Sequence, residues 1–194
     1  MYDARISAPH PENMTTEQRS ALAEITAGPR GGLVGPFAPL LHSPRLMSHL
    51  QKTGEFLRFG SSLDRRLFEM CILLVARHWN QQFEWGFHHP LALEAGLNPN
   101  VVEAISRAER ADHADEVVLA VWDVVDDLQK NQTVDDDHYA AAAALLDEQG
   151  LVEIVATVGY YTTLAMVMNT ARTPPPADSP KLERLTRTNN REPL

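Results

Sequence analysis

The sequence predicts an all-α fold, and three observations carry that prediction. Apolar residues recur with a period near 3.6 in at least six segments. Start and stop signals bound these segments, with Ser, Thr, Asp or Asn ahead and Gly or Pro behind. No segment shows the sustained period-two alternation of a half-buried strand. With 194 residues the chain can bury one substantial core and is short for two. A single helical domain is therefore expected over residues 15–172, between an extended N-terminal segment, 1–14, and a C-terminal tail, 173–194.

Residues 1–14 carry Pro9, Pro11 and Asn13, which disfavour regular structure. Thr15 and Gln18 have capping-box spacing, so a first helix starts there and stops near Gly28–Pro29. The stretch GPRGGLVGPFAPL reads as a loop whose Leu33, Val34, Phe37 and Leu40 lie over something apolar. Ser43–Pro44 supply an N-cap and a first helical residue, opening a helix to about Phe59. The next helix runs from Arg65 to about Trp79, with Leu67, Met70, Cys71, Leu74 and Val75 on one side. Another runs from about Gln82 to Ala95 and ends at Gly96. Pro90 inside it removes a donor and crowds the Gly86 carbonyl, so a kink or broken turn is expected.

Asn98–Pro99 cap a short helix to about Ala108. His113 to Lys130 forms the next, with a stripe of Val117, Val118, Val121, Val124, Val125 and Leu128. Asp135–Asp137 place negative charge at the start of the following helix, where the macrodipole favours it. The last helix, Leu151 to about Thr170, is apolar nearly all round and belongs at the centre or at a subunit contact. The tail from Thr173 is Pro-rich and then polar, an arm that is disordered alone or lies on a neighbouring subunit.

The net charge of -9 argues against nucleic acid, whose phosphates select basic surfaces, and against an anionic membrane. No run approaches the ~18 apolar residues of a membrane span. The N-terminus lacks the apolar stretch of a signal peptide. A cytoplasmic protein is expected. The single cysteine, Cys71, sits in an apolar run and forms neither an intrachain disulfide nor a CxxC pair.

Chemistry concentrates between Glu69 and Gly96, EMCILLVARHWNQQFEWGFHHPLALEAG. Glu84 and His88 stand at i and i+4 and meet on one helix face, where a carboxylate orients an imidazole for acid–base work. Such pairs also occur on solvated helix faces. Here Trp79, Trp85 and Phe87 supply apolar walls, and Glu69 is an acid on an otherwise apolar helix. His88 is thus the expected general acid or base, Glu84 its orienting partner and Glu69 a second proton carrier. His89 lies about 100° away around the helix and is assigned to the substrate-facing surroundings. Arg66 or Arg77 is expected to hold a substrate carboxylate; salt bridges to Glu69 or Asp64 are the alternative for each and for Arg65. Glu84 and His88 supply only two metal ligands and HExxH is absent, so no metal is expected. Tyr160 and Tyr161 read as core aromatics.

The stretch RLFEMCILLVARHWNQQFEWGFHHPLALEAGL, with AGPRGGLVGPFAPLLHSPRL ahead of it, resembles the carboxymuconolactone decarboxylase family. The redox relative in that family, alkyl hydroperoxidase D, carries an acid, two cysteines and a histidine. The resemblance matches these to Glu69, Gln81, Glu84 and His88, so both cysteines are replaced here and disulfide peroxidase chemistry is lost. It implies a helical bundle of the alkyl hydroperoxidase D-like type. It further implies a homo-oligomer, trimer or hexamer, and a site between helices near subunit contacts. The activity implied is cofactor-independent decarboxylation of a γ-carboxymuconolactone-like acid, a step in aromatic compound catabolism. Isomerisation, hydration or lactone opening at the same site stays open, as does a non-catalytic helical oligomer that binds a small molecule.

Overall fold

The computed structural model describes residues 3–185, which contain helices and no strand. Helix α1 (Thr16–Ala27) begins with the capping box that Thr15 and Gln18 encode. The Gly/Pro-rich loop is not wholly irregular, because Phe37–Leu40 closes a single turn, α2, whose Phe37, Pro39 and Leu40 are buried. Helix α3 (Pro44–Glu55) starts where Ser43–Pro44 place it. It does not run on as regular helix to Phe59: Phe56–Gly60 is a π-helical turn.

Helix α4 (Arg65–His78) is the axis of the bundle. Leu67 through Arg77 are all buried, and a helix without a polar face has to be enclosed on every side. Helix α5 (Gln82–Glu94) folds back along it after a turn in which Asn80 takes a left-handed conformation. Helices α6 (Pro99–Arg107), α7 (Glu116–Lys130) and α9 (Glu148–Ala171) cover the rest of α4, and α8 (Asp136–Leu145) packs on α7. Asp115, Asp135 and Asp147 cap the last three helices, each accepting from a backbone N–H of the first turn. These caps move two boundaries. Helix α7 starts after Asp115 and not at His113, and α9 starts after Asp147 and not at Leu151.

Two further expectations are corrected. Helix α5 continues through Pro90 to Glu94 without a broken turn, and the Pro90 ring lies on the exposed face. The tail lies on its own chain over residues 173–185. Gln82 makes a paired hydrogen bond with the Leu182 backbone, donating at 2.6 Å and accepting at 3.1 Å. Arg77 donates to the Glu183 carbonyl at 2.7 Å, and Leu182 is buried in the core. Burying one leucine contributes about 1.5–3 kcal/mol, enough to hold a short segment that hydrogen bonds also fix. Residues 186–194, the polar end of that tail, lie outside the described residues. At the other end, residues 3–14 run mostly extended, as read from the sequence. Arg5 donates to the Ala171 carbonyl, and Pro11–Asn13 make one 3₁₀ turn.

Helix α9 is long and apolar enough to cross a membrane, with a mean hydropathy of 1.5. More than half of that stretch is buried against the rest of the bundle, as in a core helix.

Candidate active site

Three acid–base side chains meet between α4 and α5, and the π turn and the Gly/Pro loop close the space above them. Glu69 is fully buried on α4, where no apolar partner could satisfy it. Its Oε2 accepts from His88 Nδ1 at 2.6 Å, and its Oε1 pairs with Arg65 Nη2 at 2.5 Å. The other ring nitrogen, His88 Nε2, stands 3.4 Å from Glu84 Oε2, one turn back on α5. The order is Arg65–Glu69–His88–Glu84, a line through the imidazole and not a ring of ligands around a shared centre. The closer contact of His88 is with Glu69, not with Glu84, the partner expected from the i,i+4 spacing. Glu69 holds the histidine, and Glu84 stands on the open side of the ring.

That open side is a cavity of about 260 Å³, lined by Glu84, His88 and Tyr161 at its polar end. Phe83 and Phe87 from α5, with Phe59 and Phe37, form its apolar walls. Two cations face it, Arg30 from the loop and Arg58 from the π turn. The Arg58 guanidinium lies over the Phe87 ring at 5.4 Å, and that of Arg30 over Phe37 at 4.7 Å. Among the described residues neither has a carboxylate partner. Arg30 Nε and Nη2, Arg58 Nε and Glu84 Oε1 are buried without hydrogen bonds. Buried donors and acceptors left open cost about 1–3 kcal/mol each, so their convergence on one cavity suits a polar ligand.

Electrostatics separate the two acids. Burial, then the charge of Glu69, raises the Glu84 carboxyl to about 8, although Arg30 and Arg58 oppose this. Burial lowers the His88 imidazole, outweighing the hydrogen bond and charge of Glu69. At neutral pH the site therefore holds a largely protonated Glu84 beside a neutral His88. The proton of that ring sits on Nδ1, toward Glu69, and its Nε2 lone pair faces Glu84.

Local sequence explains the framing. Gln81 caps α5 through its side chain, accepting from the Phe83 and Glu84 N–H groups at 2.5 and 3.0 Å, and so fixes the first turn bearing Glu84. Gly35 (φ +57) lets the loop cross the Phe83 ring where a Cβ would overlap it. A Cβ at Gly54 would overlap the Tyr160 hydroxyl and crowd Arg30. Glu153 of α9 fastens the far end of the π turn, accepting from Ser61 Oγ, the Ser62 N–H and Ser62 Oγ.

Of the substrate-facing residues read from the sequence, only Phe87 lines the cavity. Trp85 is buried in the core with its ring 5.4 Å from that of His89, and both lie off the cavity. Trp79 ends α4 against His78. Arg66 pairs with Asp115 at 2.7 Å, tying α4 to the start of α7. Arg77 is spent on the Ser106 and Glu183 carbonyls and on Asn80. The cations at the cavity are Arg30 and Arg58, which the sequence reading missed. The one available signal was an arginine inside a loop with an apolar side. Cys71 is fully buried, and burial pushes its thiol up to about 12, so the chain offers no thiolate to the cavity.

No family model and no curated protein matches the chain. Solved structures do match. A protein of unknown function from Agrobacterium tumefaciens, described as a putative antioxidant defence protein AhpD, aligns with a TM-score of 0.64 at 17% identity, over 72% of this chain and 96% of its own. An uncharacterized peroxidase-related protein with an alkylhydroperoxidase AhpD core, from Ralstonia eutropha JMP134, gives 0.72 at 15% identity over 89% and 92%. The apo debrominase Bmp8 gives 0.69 at 12% identity over 91% and 95%. The fold is AhpD-like and all-helical, as the sequence predicted.

Proposed function

We propose that the chain is an enzyme that transfers protons to and from a small unsaturated organic carboxylate held in this cavity. One observation carries the reading. The open oxygen of a protonated Glu84 and the His88 ring share an apolar cavity with two guanidiniums that lack carboxylate partners. Arg30 and Arg58 would bind the carboxylate, and the phenylalanines would pack on an unsaturated body. The occurrence of a debrominase among structures of like fold supports an enzymatic use of the bundle.

Decarboxylation of a γ-carboxymuconolactone-like acid is the leading case, as the sequence resemblance implies. The carboxylate leaves as CO₂, and its electron pair passes into the conjugated carbonyl of the substrate. The carbon then takes the proton of Glu84, which recovers one from water through His88. Because the substrate carries its own electron sink, this reading needs no cofactor. A second reading has its own support: an acid and a neutral imidazole side by side suit isomerisation, with abstraction at one carbon and delivery at another.

A panel of unsaturated and lactone carboxylic acids in D₂O, γ-carboxymuconolactone included, separates these readings. CO₂ release with deuterium at the former carboxyl carbon supports decarboxylation, and deuterium wash-in without CO₂ supports isomerisation. Binding of panel acids without exchange or turnover would leave a non-catalytic binder.

A further inference from the structure

We propose that Arg65 is a positioning residue that couples anion binding to proton transfer, one guanidinium fixing both the turn that carries Arg58 and the carboxylate that holds His88. The inference rests on the reading of the cavity as an anion-binding acid–base site. Arg65 does not line that cavity.

Its two arms make different contacts. Nη1 donates to the Arg58 carbonyl at 2.9 Å, and Nη2 pairs with Glu69 Oε1 at 2.5 Å. The first contact answers a local need. In a π-helical turn the Arg58 carbonyl would look to the N–H five residues on, at Leu63. That N–H is taken by Ser61 Oγ at 3.0 Å, and the chain turns away toward α4. Arg65 supplies the missing donor while Glu153 holds Ser61 and Ser62, so the turn is pinned at both ends. The second contact gives the fully buried Glu69 a counter-charge, although the Arg65 side chain is itself 39% exposed. A planar fork can serve two acceptors at once. A lysine ammonium at this position keeps the charge but presents one nitrogen on a shorter stem, without the two rigidly spaced nitrogens that Arg65 sets against the two acceptors.

The charged and titratable groups around His88 come from every neighbouring element. They are Glu69 and Arg65 on α4, Glu84 on α5, Arg58 on the π turn and Tyr161 on α9, with Arg30 beyond Glu84. Arg65 opposes protonation of the imidazole and Glu69 favours it, so removing the Arg65 charge moves His88 toward higher proton affinity.

The test needs no turnover. Benzoate binding is measured by calorimetry, and the His88 ring titration is followed by NMR, in the wild type, Arg65→Lys and Arg65→Met. Circular dichroism checks that each variant is folded. Arg65→Lys is expected to weaken benzoate about fivefold, the usual effect of losing one hydrogen bond, with the His88 titration close to wild type. Arg65→Met is expected to weaken benzoate at least as much and to move the His88 titration to higher pH. Benzoate bound equally well by wild type and Arg65→Lys would overturn the coupling, as would an unmoved His88 titration in Arg65→Met. A wild type that does not bind benzoate would overturn the anion-binding reading itself. If Arg65→Met fails to fold, Arg65→Lys alone decides.

Discussion

On the proposed function, Glu84 sets the pH behaviour of the site. A carboxyl raised to about 8 delivers a proton below that pH, so turnover should fall as pH rises past it. Glu84→Gln keeps the bulk but has no proton to give, and is expected to lower kcat by about 10²–10⁴-fold and remove that limb. Stability carries the same signature. The folded value lies above the ordinary 4.5, so the folded state holds the extra proton between the two. The contribution is therefore full below about 4.5 and is lost as pH rises toward about 8. Melting temperatures of wild type and Glu84→Gln across pH 4 to 9 should show this slope only in the wild type. His88→Ala should cost a similar factor in kcat, and His89→Ala little, because that ring packs on Trp85 away from the cavity. A larger loss from His89→Ala would mean that the wrong face of α5 has been assigned. Cys71→Ser should leave kcat intact and cost about 1–3 kcal/mol in unfolding, from a buried hydroxyl without a partner. That Glu69, Glu84 and His88 gather at one place is legible in the sequence, because an i,i+4 pair and an acid in an apolar helix are local patterns. The contact each acid makes is not. Which acid grips His88 depends on how α4 and α5 cross, a tertiary fact.

Helix ends follow the same division between local and distant causes. Thr15 and Asn98 mark their helices in sequence because caps act within one turn, and Pro44 marks α3 as a first helical residue although the Ser43 side chain makes no cap hydrogen bond. The π turn at Phe56–Gly60 was read as the end of α3, because its apolar residues keep a helical period while Glu153 and Arg65, far off in sequence or beyond the turn, bend it. Arg30 and Arg58 carry no local signal for the same reason: each sits on a segment shaped by what packs over it. The tail departs from its sequence pattern for a related reason. Its polar, Pro-rich composition shows no core-forming period, yet the buried Leu182 and the hydrogen bonds of Gln82 and Arg77 anchor it. The seat depends on Gly86, where a Cβ would run into the Ser179 side chain. Gly86→Ala should therefore loosen residues 176–185. Tryptic cleavage after Lys181, followed by mass spectrometry, is expected to be several-fold faster than in the wild type. Equal cleavage rates would show that Gln82 and Arg77 hold the segment by themselves.

At the scale of the molecule, the all-helical fold was legible because periodicity, capping and the absence of strand alternation agreed. Assembly was read from α9, and the structure refines where that argument points. One side of α9 fills the core, with Ile154, Ala165 and Met168 fully buried. The other side leaves Val152 at 66%, Val155 at 47% and Met166 at 42% exposed. Ala156 and Gly159 are exposed on the same stripe, since steps of three, four and seven residues return to one face. Tyr139 and Leu145 of α8 are exposed as well. Contiguous apolar surface of this kind costs solubility in a monomer, and the small residues at its middle let a second helix approach closely. A second copy of the chain, meeting α9 against α9, would cover the stripe with the self-complementary contact of a two-fold axis. Sedimentation at micromolar concentration should then give a species heavier than the 21.6 kDa chain. Val155→Glu, which places a charge in the middle of the stripe at an exposed position, should shift it to the monomer with helicity retained. A wild-type monomer would mean that the stripe is merely tolerated exposure. An oligomer indifferent to Val155→Glu would place the contact on another face.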